Sequence, residues 1–90
     1  MDEKELIKTI HAIDRLSGLI DCLKGTELRG VARYTNNSDF GIHFTLSVFE
    51  PDTGFSVFYK EFNYEDLENI IKECGNAVIE RNNKEISINQ

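Results

Sequence analysis

One segment of the sequence alternates between apolar and polar residues and is followed by a turn and a second β-prone run. Its even positions are all apolar: Phe40, Ile42, Phe44, Leu46 and Val48. The residues between them are polar or small: Gly41, His43, Thr45 and Ser47. A period of two is typical of a strand that packs one face on a core. The alternation therefore predicts a half-buried strand and identifies its buried side chains.

A four-residue turn and a third strand are predicted after this segment, with the strand beginning at Phe55 and reaching Phe62. Pro51 suits the start of the turn, and Gly54 suits a positive φ at its end. This turn pairs Glu50 with Phe55 across the hairpin. The pairs expected further along are Val48 with Val57 and Leu46 with Tyr59.

A first strand is predicted from Thr26 to Thr35, before the alternating segment. The short polar residues at 36–39 favour a turn, because Asn, Ser and Asp tolerate left-handed conformations. A three-residue turn at 36–38 predicts two cross-strand pairs, Ala32 with Ile42 and Leu28 with Leu46. Both hairpin registers then agree on one core face.

Helices are predicted at both ends of the chain, over residues 2–24 and from 64 to about 82. The first has apolar residues at steps of three and four: Leu6, Ile10, Ile13, Leu16, Ile20 and Leu23, flanked by Ile7 and Leu19. The second has a shorter stripe: Leu67, Ile70, Ile71, Cys74 and Val78. Asn82 and Asn83 are expected to end it.

The predicted fold is a two-layer α+β domain with the order α-β-β-β-α, a three-stranded antiparallel meander with two helices packed on one face. Residues 1–90 are expected to form a single domain. Residues 84–90 alternate weakly, which favours a short C-terminal edge strand or a loose tail. The order resembles double-stranded-RNA-binding domains in topology. Those domains need basic residues at the start of the second helix. In this chain the corresponding residues 64–68 are Tyr-Glu-Asp-Leu-Glu, three of which are acidic. The resemblance therefore implies no RNA-binding function.

The composition favours a cytoplasmic protein and argues against nonspecific binding to the phosphates of nucleic acids. The formal net charge is −6, and unspecific binding to nucleic acid requires clustered Lys and Arg. The chain has no apolar run long enough to cross a membrane, and its acidic beginning is unlike a signal peptide. Cys22 and Cys74 are predicted to be small buried hydrophobes. No cofactor or metal site is expected, because no Cys or His stands at ligand spacing nearby.

The sheet face away from the helices is the predicted binding surface. It is expected to carry Arg29, Val31, Arg33, His43, Thr45, Phe49, Phe58, Lys60 and Phe62. Aromatic residues grouped on an uncovered sheet usually mark an interface. The predicted contact residues are Arg29, Arg33, His43, Phe49, Phe58 and Lys60. In the competing interpretation Phe62 packs under the loop that leads into the second helix, or a one-residue bulge in the third strand turns Phe58 inward.

An acidic surface is the alternative binding site. It consists of Glu65, Asp66, Glu68 and Glu73 at the start of the predicted second helix. Such a cluster can imitate nucleic-acid phosphates and dock on a basic groove, as small acidic inhibitors from phages do. The pattern is more typical of a solvated helix face whose dipole favours negative charge at its start.

The function expected from these features is that of a small, non-enzymatic protein-binding factor, an inhibitor or accessory protein of the kind that phages or mobile elements encode. It would cover a surface of a larger macromolecule. Two alternatives are a homodimeric interaction domain and a single-stranded nucleic-acid binder that uses the open sheet face. An enzyme is not expected, because the sequence contains no nucleophile, phosphate-loop or metalloprotease motif.

Overall fold

The computed structural model describes the backbone of residues 2–37, 39 and 41–88, and the side chains of these residues except 37 and 84–88. The elements in chain order are helix α1 (Glu3–Leu23), strands β1 (Arg29–Asn37), β2 (Gly41–Phe49) and β3 (Ser56–Phe62), a 3-10 turn (Tyr64–Asp66) and helix α2 (Leu67–Ile88). The Asp2 side chain caps α1 by accepting a hydrogen bond of 2.8 Å from the backbone N–H of Glu5.

The three strands form one antiparallel sheet in the order β1-β2-β3. Helix α1 packs mainly on β1 and α2 mainly on β3, so the apolar face of β2 lies beneath the space between the helices. The predicted α+β fold, with two helices and a three-stranded antiparallel meander, is confirmed. None of the described helices is long and apolar enough to cross a membrane.

The strand pairing between β1 and β2 differs from the prediction by four residues. Ala32 lies opposite Leu46, not Ile42, because the strands continue to Asn37 and Gly41 before the chain turns. Gly41 has a positive φ of 74° at this end. A shift by an even number preserves the side of the sheet on which each residue lies. The predicted face of β1 is therefore correct although its register is wrong. Phe40, which belongs to the predicted core stripe, lies outside the described residues.

The pairing between β2 and β3 begins as predicted and then changes by one residue. Glu50 donates its N–H to the Phe55 carbonyl at 2.9 Å, but the register shifts between Val48 and Phe49. Beyond this bulge the observed pairs are Val48 with Phe58, Leu46 with Lys60 and Phe44 with Phe62. An odd shift moves side chains to the other face. The predicted pairs with Val57 and Tyr59 are therefore wrong.

The bulge places Phe58, Lys60 and Phe62 on the helix side of the sheet. Phe62 is buried, with 6% of its surface exposed, and its ring stacks on Phe44 with centroids 5.8 Å apart. Phe58 is half-buried and packs against the core. Lys60 is exposed at the outer edge of β3. The prediction that these residues belong to the open face is wrong for all three. For Phe58 and Phe62 the competing interpretation, a bulge that turns Phe58 inward and a packed Phe62, is the one that is confirmed.

Helix α1 buries only part of the side that its apolar spacing predicts, because Leu16 and Leu23 of the predicted stripe are buried and the stripe's first half is not. Its buried residues are Thr9, Ala12, Leu16 and Leu23. Four large apolar residues of its first half are exposed: Leu6, Ile7, Ile10 and Ile13. Cys22 is exposed as well, whereas Cys74 is buried, and both thiols are free. The prediction of burial is therefore wrong for Cys22, which lies on the solvent side of the rotated helix.

Helix α2 has the predicted buried stripe but extends further than predicted. Leu67, Ile70 and Cys74 are buried, and Ile71 and Val78 pack against the same core. The helix continues through 82–83 to Ile88. Neither the edge strand nor the loose tail proposed for 84–90 is present over 84–88, and residues 89 and 90 lie outside the described part. Asn is only a weak helix breaker, so two in succession do not end a helix that is already packed on a sheet.

Candidate binding surface on the open sheet face

No described residue covers the side of the sheet opposite the helices, and we call this side the open face. Register and strand alternation assign its described members: Arg29, Val31, Arg33 and Thr35 of β1, His43, Thr45, Ser47 and Phe49 of β2, and Tyr59 and Glu61 of β3. Of the six predicted contact residues, Arg29, Arg33, His43 and Phe49 lie on this face. Phe58 and Lys60 do not, because the bulge in the β2–β3 pairing turns them to the other side.

Tyr59 and Glu61 are the members of the open face on β3 that the sequence analysis missed. They lie opposite Ser47 and Thr45 of β2. The sequence does contain a signal for this arrangement. Val57, Phe58 and Tyr59 are consecutive residues with large apolar or aromatic side chains, which breaks the period of two and is typical of a bulged strand.

The centre of the open face is a shallow concavity of about 480 Å³, lined by residues of all three strands. Tyr59 stands at its rim with 56% of its surface exposed, and its hydroxyl donates to Glu61 Oε1 at 3.1 Å. This hydrogen bond and the negative charge of Glu61 raise the pKa of Tyr59. The phenol is therefore held in its protonated form, which makes it a hydrogen-bonding contact group and not an activated nucleophile.

Two arginines give the open face a cationic side along β1. The Arg29 Nη1 atom donates to the backbone carbonyls of Leu28 at 2.7 Å and Thr26 at 3.2 Å, so its guanidinium is held near the start of the strand. Arg33 is exposed in the middle of β1, opposite Thr45. Half-buried His43 lies beside Thr35 on the same face. This side is cationic although the whole chain carries a net charge of −6.

The alternative acidic surface is exposed at the start of α2 and in the 3-10 turn before it. Its residues are Glu65, Asp66, Glu68 and Glu73, all exposed. Arg15 of α1 binds Glu68 through two hydrogen bonds, Nε to Oε1 at 3.0 Å and Nη2 to Oε2 at 2.7 Å. The hydrogen bonds from Arg15 hold the pKa of Glu68 below its usual value. One of the four carboxylates is thus already paired within the chain, which reduces the charge that this surface offers a partner.

The remaining titratable groups in the described part of the chain include two histidines, on different elements, and a buried thiol. No group of three or more His, Cys, Asp or Glu residues there can hold a metal ion. His11 on α1 has its Nδ1 atom 2.8 Å from the Tyr64 hydroxyl, and the two rings meet edge to face. This contact connects α1 to the turn before α2 and is structural. Burial raises the pKa of the Cys74 thiol to about 11, which leaves it protonated and unreactive at neutral pH.

Comparison with protein-family models, with curated proteins and with solved structures found no match.

Proposed function

We propose that this chain is a cytoplasmic, non-enzymatic binding factor that covers the surface of a larger protein with its open sheet face. The observation that carries the proposal is the arrangement of the two layers. Both helices pack on one side of the sheet, and the described part of the chain leaves the other side uncovered. That side carries two arginines, one tyrosine and the apolar Val31 and Phe49. Arg and Tyr are the residue types most enriched at protein interfaces.

The shape of the open face supports a macromolecular partner over a small molecule. Three strands spaced by about 4.8 Å and up to nine residues long form a surface roughly 30 Å long and 10 to 15 Å wide. Its concavity is shallow and open, whereas small-molecule sites enclose most of the ligand. A partner protein with a convex surface can contact all three strands at once.

The charge of the face indicates what this partner offers. Arg29 and Arg33 project from β1, and Glu61 lies on the opposite strand. An arginine gains most from a planar carboxylate, which it binds through two parallel hydrogen bonds. We therefore expect acidic side chains on the partner opposite β1, and a hydrogen-bonding group opposite Tyr59 and Glu61.

A tagged pull-down from the source cells, with and without nuclease, tests this proposal. The wild-type chain should recover one stoichiometric protein, and nuclease should not reduce the recovery. Arg33→Glu should reduce it at least about tenfold, because it removes the guanidinium and adds a repelling charge. The matched control is Lys72→Glu, the same change in charge on exposed Lys72 of α2, which should keep full recovery.

Three results would contradict the proposal. Recovery that nuclease abolishes would favour the single-stranded nucleic-acid alternative. Recovery that survives Arg33→Glu but is lost on charge reversal at Glu65 and Glu73 would move the site to the acidic surface. Equal loss with Arg33→Glu and Lys72→Glu would show that overall charge, not the open face, controls binding.

A further inference from the structure

A second exposed surface lies on the side of α1 that faces away from α2. Leu6, Ile10 and Ile13 are exposed and follow one another at steps of four and three, so they form one apolar stripe along the helix. Ile20 continues the stripe and lies over β1. Its Cγ1 atom is 3.1 Å from the position that a Cβ atom would occupy if residue 30 were not glycine. The opposite side of α1 is occupied by the contacts of His11 and Arg15 with the start of α2.

The free edge of β1 runs beneath this stripe. In the order β1-β2-β3 the strand β1 is at an edge of the described sheet. A groove of about 470 Å³ separates α1 from β1 and is lined by Ile13, Ile20, Ala32 and Tyr34, among others. We call the stripe, the groove and the free edge of β1 together the α1–β1 flank. On it, an exposed apolar surface and unpaired backbone groups of a strand face the same direction.

The two edges of the sheet differ in how well they are protected against pairing. β3 has a bulge in its pairing with β2, and a bulge discourages the addition of another strand. β1 pairs with β2 over nine consecutive residues without a register shift. Its regular outer edge is the kind that accepts a further strand.

We propose that the α1–β1 flank binds a second copy of this chain, so that the two copies form a two-fold symmetric dimer with one six-stranded sheet. The two β1 strands pair antiparallel at the centre. A two-fold axis perpendicular to the sheet keeps all four helices on one side and places the two α1 helices next to each other in opposite directions. Each apolar stripe then covers the other.

The charges and sizes along α1 suit this antiparallel arrangement. None of the residues that lie on the stripe from Leu6 to Ile20 is charged. No charged group is therefore buried when two stripes meet. With the axis beside Ile13, Ile10 faces the small Ser17 of the second copy. Acidic Glu3 at the beginning of the helix then approaches the second copy's Lys24, which follows its end. The helix dipoles are also opposed in this arrangement, which is favourable.

The same axis also suits the strands. Ile13 precedes Ile20 by two turns of helix, about 10 Å, which corresponds to about three strand residues. Since Ile20 lies over Gly30, Ile13 is level with Arg33, the middle residue of β1. A two-fold axis at this level pairs the whole length of β1 with its copy. It also joins the two open faces into one continuous surface with an Arg33 from each copy near its centre.

The size of the flank is sufficient for a dimer of moderate affinity. Helix α1 has 21 residues, and the molecule measures 19 Å along its two shorter axes. A flank of these dimensions covers roughly 600 Å² per copy, since the helix rises about 1.5 Å per residue. The total is at the lower end of the range of about 1,200 to 2,000 Å² that stable interfaces bury.

Light scattering coupled to size-exclusion chromatography, over a range of protein concentrations, tests this assignment. The wild-type chain should reach twice its monomer mass of 10.3 kDa. Ile10→Lys should weaken the dimer by about tenfold or more, because it introduces a charge into the covered stripe.

The control is Ile79→Lys on α2, since Ile10 and Ile79 have nearly the same exposed fraction, 58% and 59%. This control should leave the dimer unchanged. If Ile10→Lys fails to fold by circular dichroism, Leu6→Lys replaces it.

Two further readouts distinguish this dimer from other forms of association. Added salt should strengthen it, because each copy carries a net charge of −6 and salt screens the repulsion between copies. Amide hydrogen exchange in β1 should slow as the protein is concentrated. A monomer at all concentrations, equal effects of Ile10→Lys and Ile79→Lys, or a dimer in which β1 exchange does not change would overturn the proposal. The two proposals can fail separately, because Ile10→Lys changes α1 and leaves every residue of the open face in place.

Discussion

At the scale of single residues, the pair Phe44 and Phe62 holds the centre of the sheet to the beginning of α2. Their rings stack with an angle of 30° between planes, and both side chains are buried. Phe62 is the last residue of β3 and is followed closely by the turn into α2. The stacked rings therefore determine where the chain leaves the sheet and from which side α2 approaches it.

Phe62→Ala should destabilise the protein by about 3 to 5 kcal/mol, because it removes a buried ring and leaves a cavity beside Phe44. Tyr59→Ala, three positions earlier on the open face, should change the free energy of unfolding by less than about 1 kcal/mol. Urea denaturation followed by circular dichroism measures both values. A small effect of Phe62→Ala would mean that the β3 bulge is absent and that Phe62 faces the solvent.

At the scale of elements, the two hairpins show how register controls a sheet surface. The pairing of β1 with β2 is displaced from the sequence-based expectation by four residues, and every side chain keeps its face. The pairing of β2 with β3 is displaced by a single residue, and Phe58, Lys60 and Phe62 all change face. Because side chains alternate with a period of two, only odd displacements exchange the two faces. One bulge therefore alters the candidate binding surface more than a much larger even shift.

The contact between helices α1 and α2 gives a testable pH effect. Arg15 holds the pKa of Glu68 below its usual value of 4.5, mainly through hydrogen bonding. Since the folded-state pKa is lowered, the contribution of this pair is present above pH 4.5 and is lost as the pH falls through the lowered value. In Arg15→Ala the pKa of Glu68 should rise towards its usual value. An NMR titration of the side-chain carboxyl measures it, with Lys24→Ala as a control that should leave it lowered.

At the scale of the whole molecule, Arg81 connects three separate parts of the chain. It lies on α2, and its Nη2 atom is 2.8 Å from Glu50 Oε1 before the β2–β3 turn and 3.9 Å from Glu27 Oε2 in the loop after α1. Its side chain is mostly buried. Because Arg81 of α2 and Glu27 of the loop after α1 are far apart in the sequence, this cluster fastens the second half of the long helix to the rest of the fold.

Arg81→Ala should lower the stability by about 1 to 2 kcal/mol, since it leaves the partly buried Glu50 carboxylate without its charged partner. The control is Lys24→Ala. Lys24 forms an ion pair of 3.0 Å with Asp21, but both side chains are largely exposed, so its loss should cost less than about 0.5 kcal/mol. The midpoints of urea unfolding compare the two variants. Equal losses would show that the Arg81 cluster is as weak as an ordinary surface pair.

The sequence by itself determined the order of the elements and the core face of β2, because alternation and turn residues act over a few neighbouring positions. It also identified Arg29, Arg33, His43 and Phe49 as residues of one sheet face. Only the tertiary structure decided that Phe58 and Lys60 leave that face and that Tyr59 and Glu61 belong to it. The break in alternation at 57–59 signals a bulge, but the packing of rings such as Phe62 in the folded sheet decides on which face the residues beyond it lie.

The rotation of α1 was likewise decided by tertiary packing. Apolar residues surround more than half of this helix, from Ile7 through Ile10 and Ala12 to Leu16, so several rotations bury a similar area. Contacts with β1 and with the start of α2 select the rotation that buries Thr9 and Ala12. Small residues allow α1 to lie close to the sheet, while the larger apolar residues remain exposed on the flank. The sequence contains these side chains, but only the packing of the helix on the sheet shows that they face outwards.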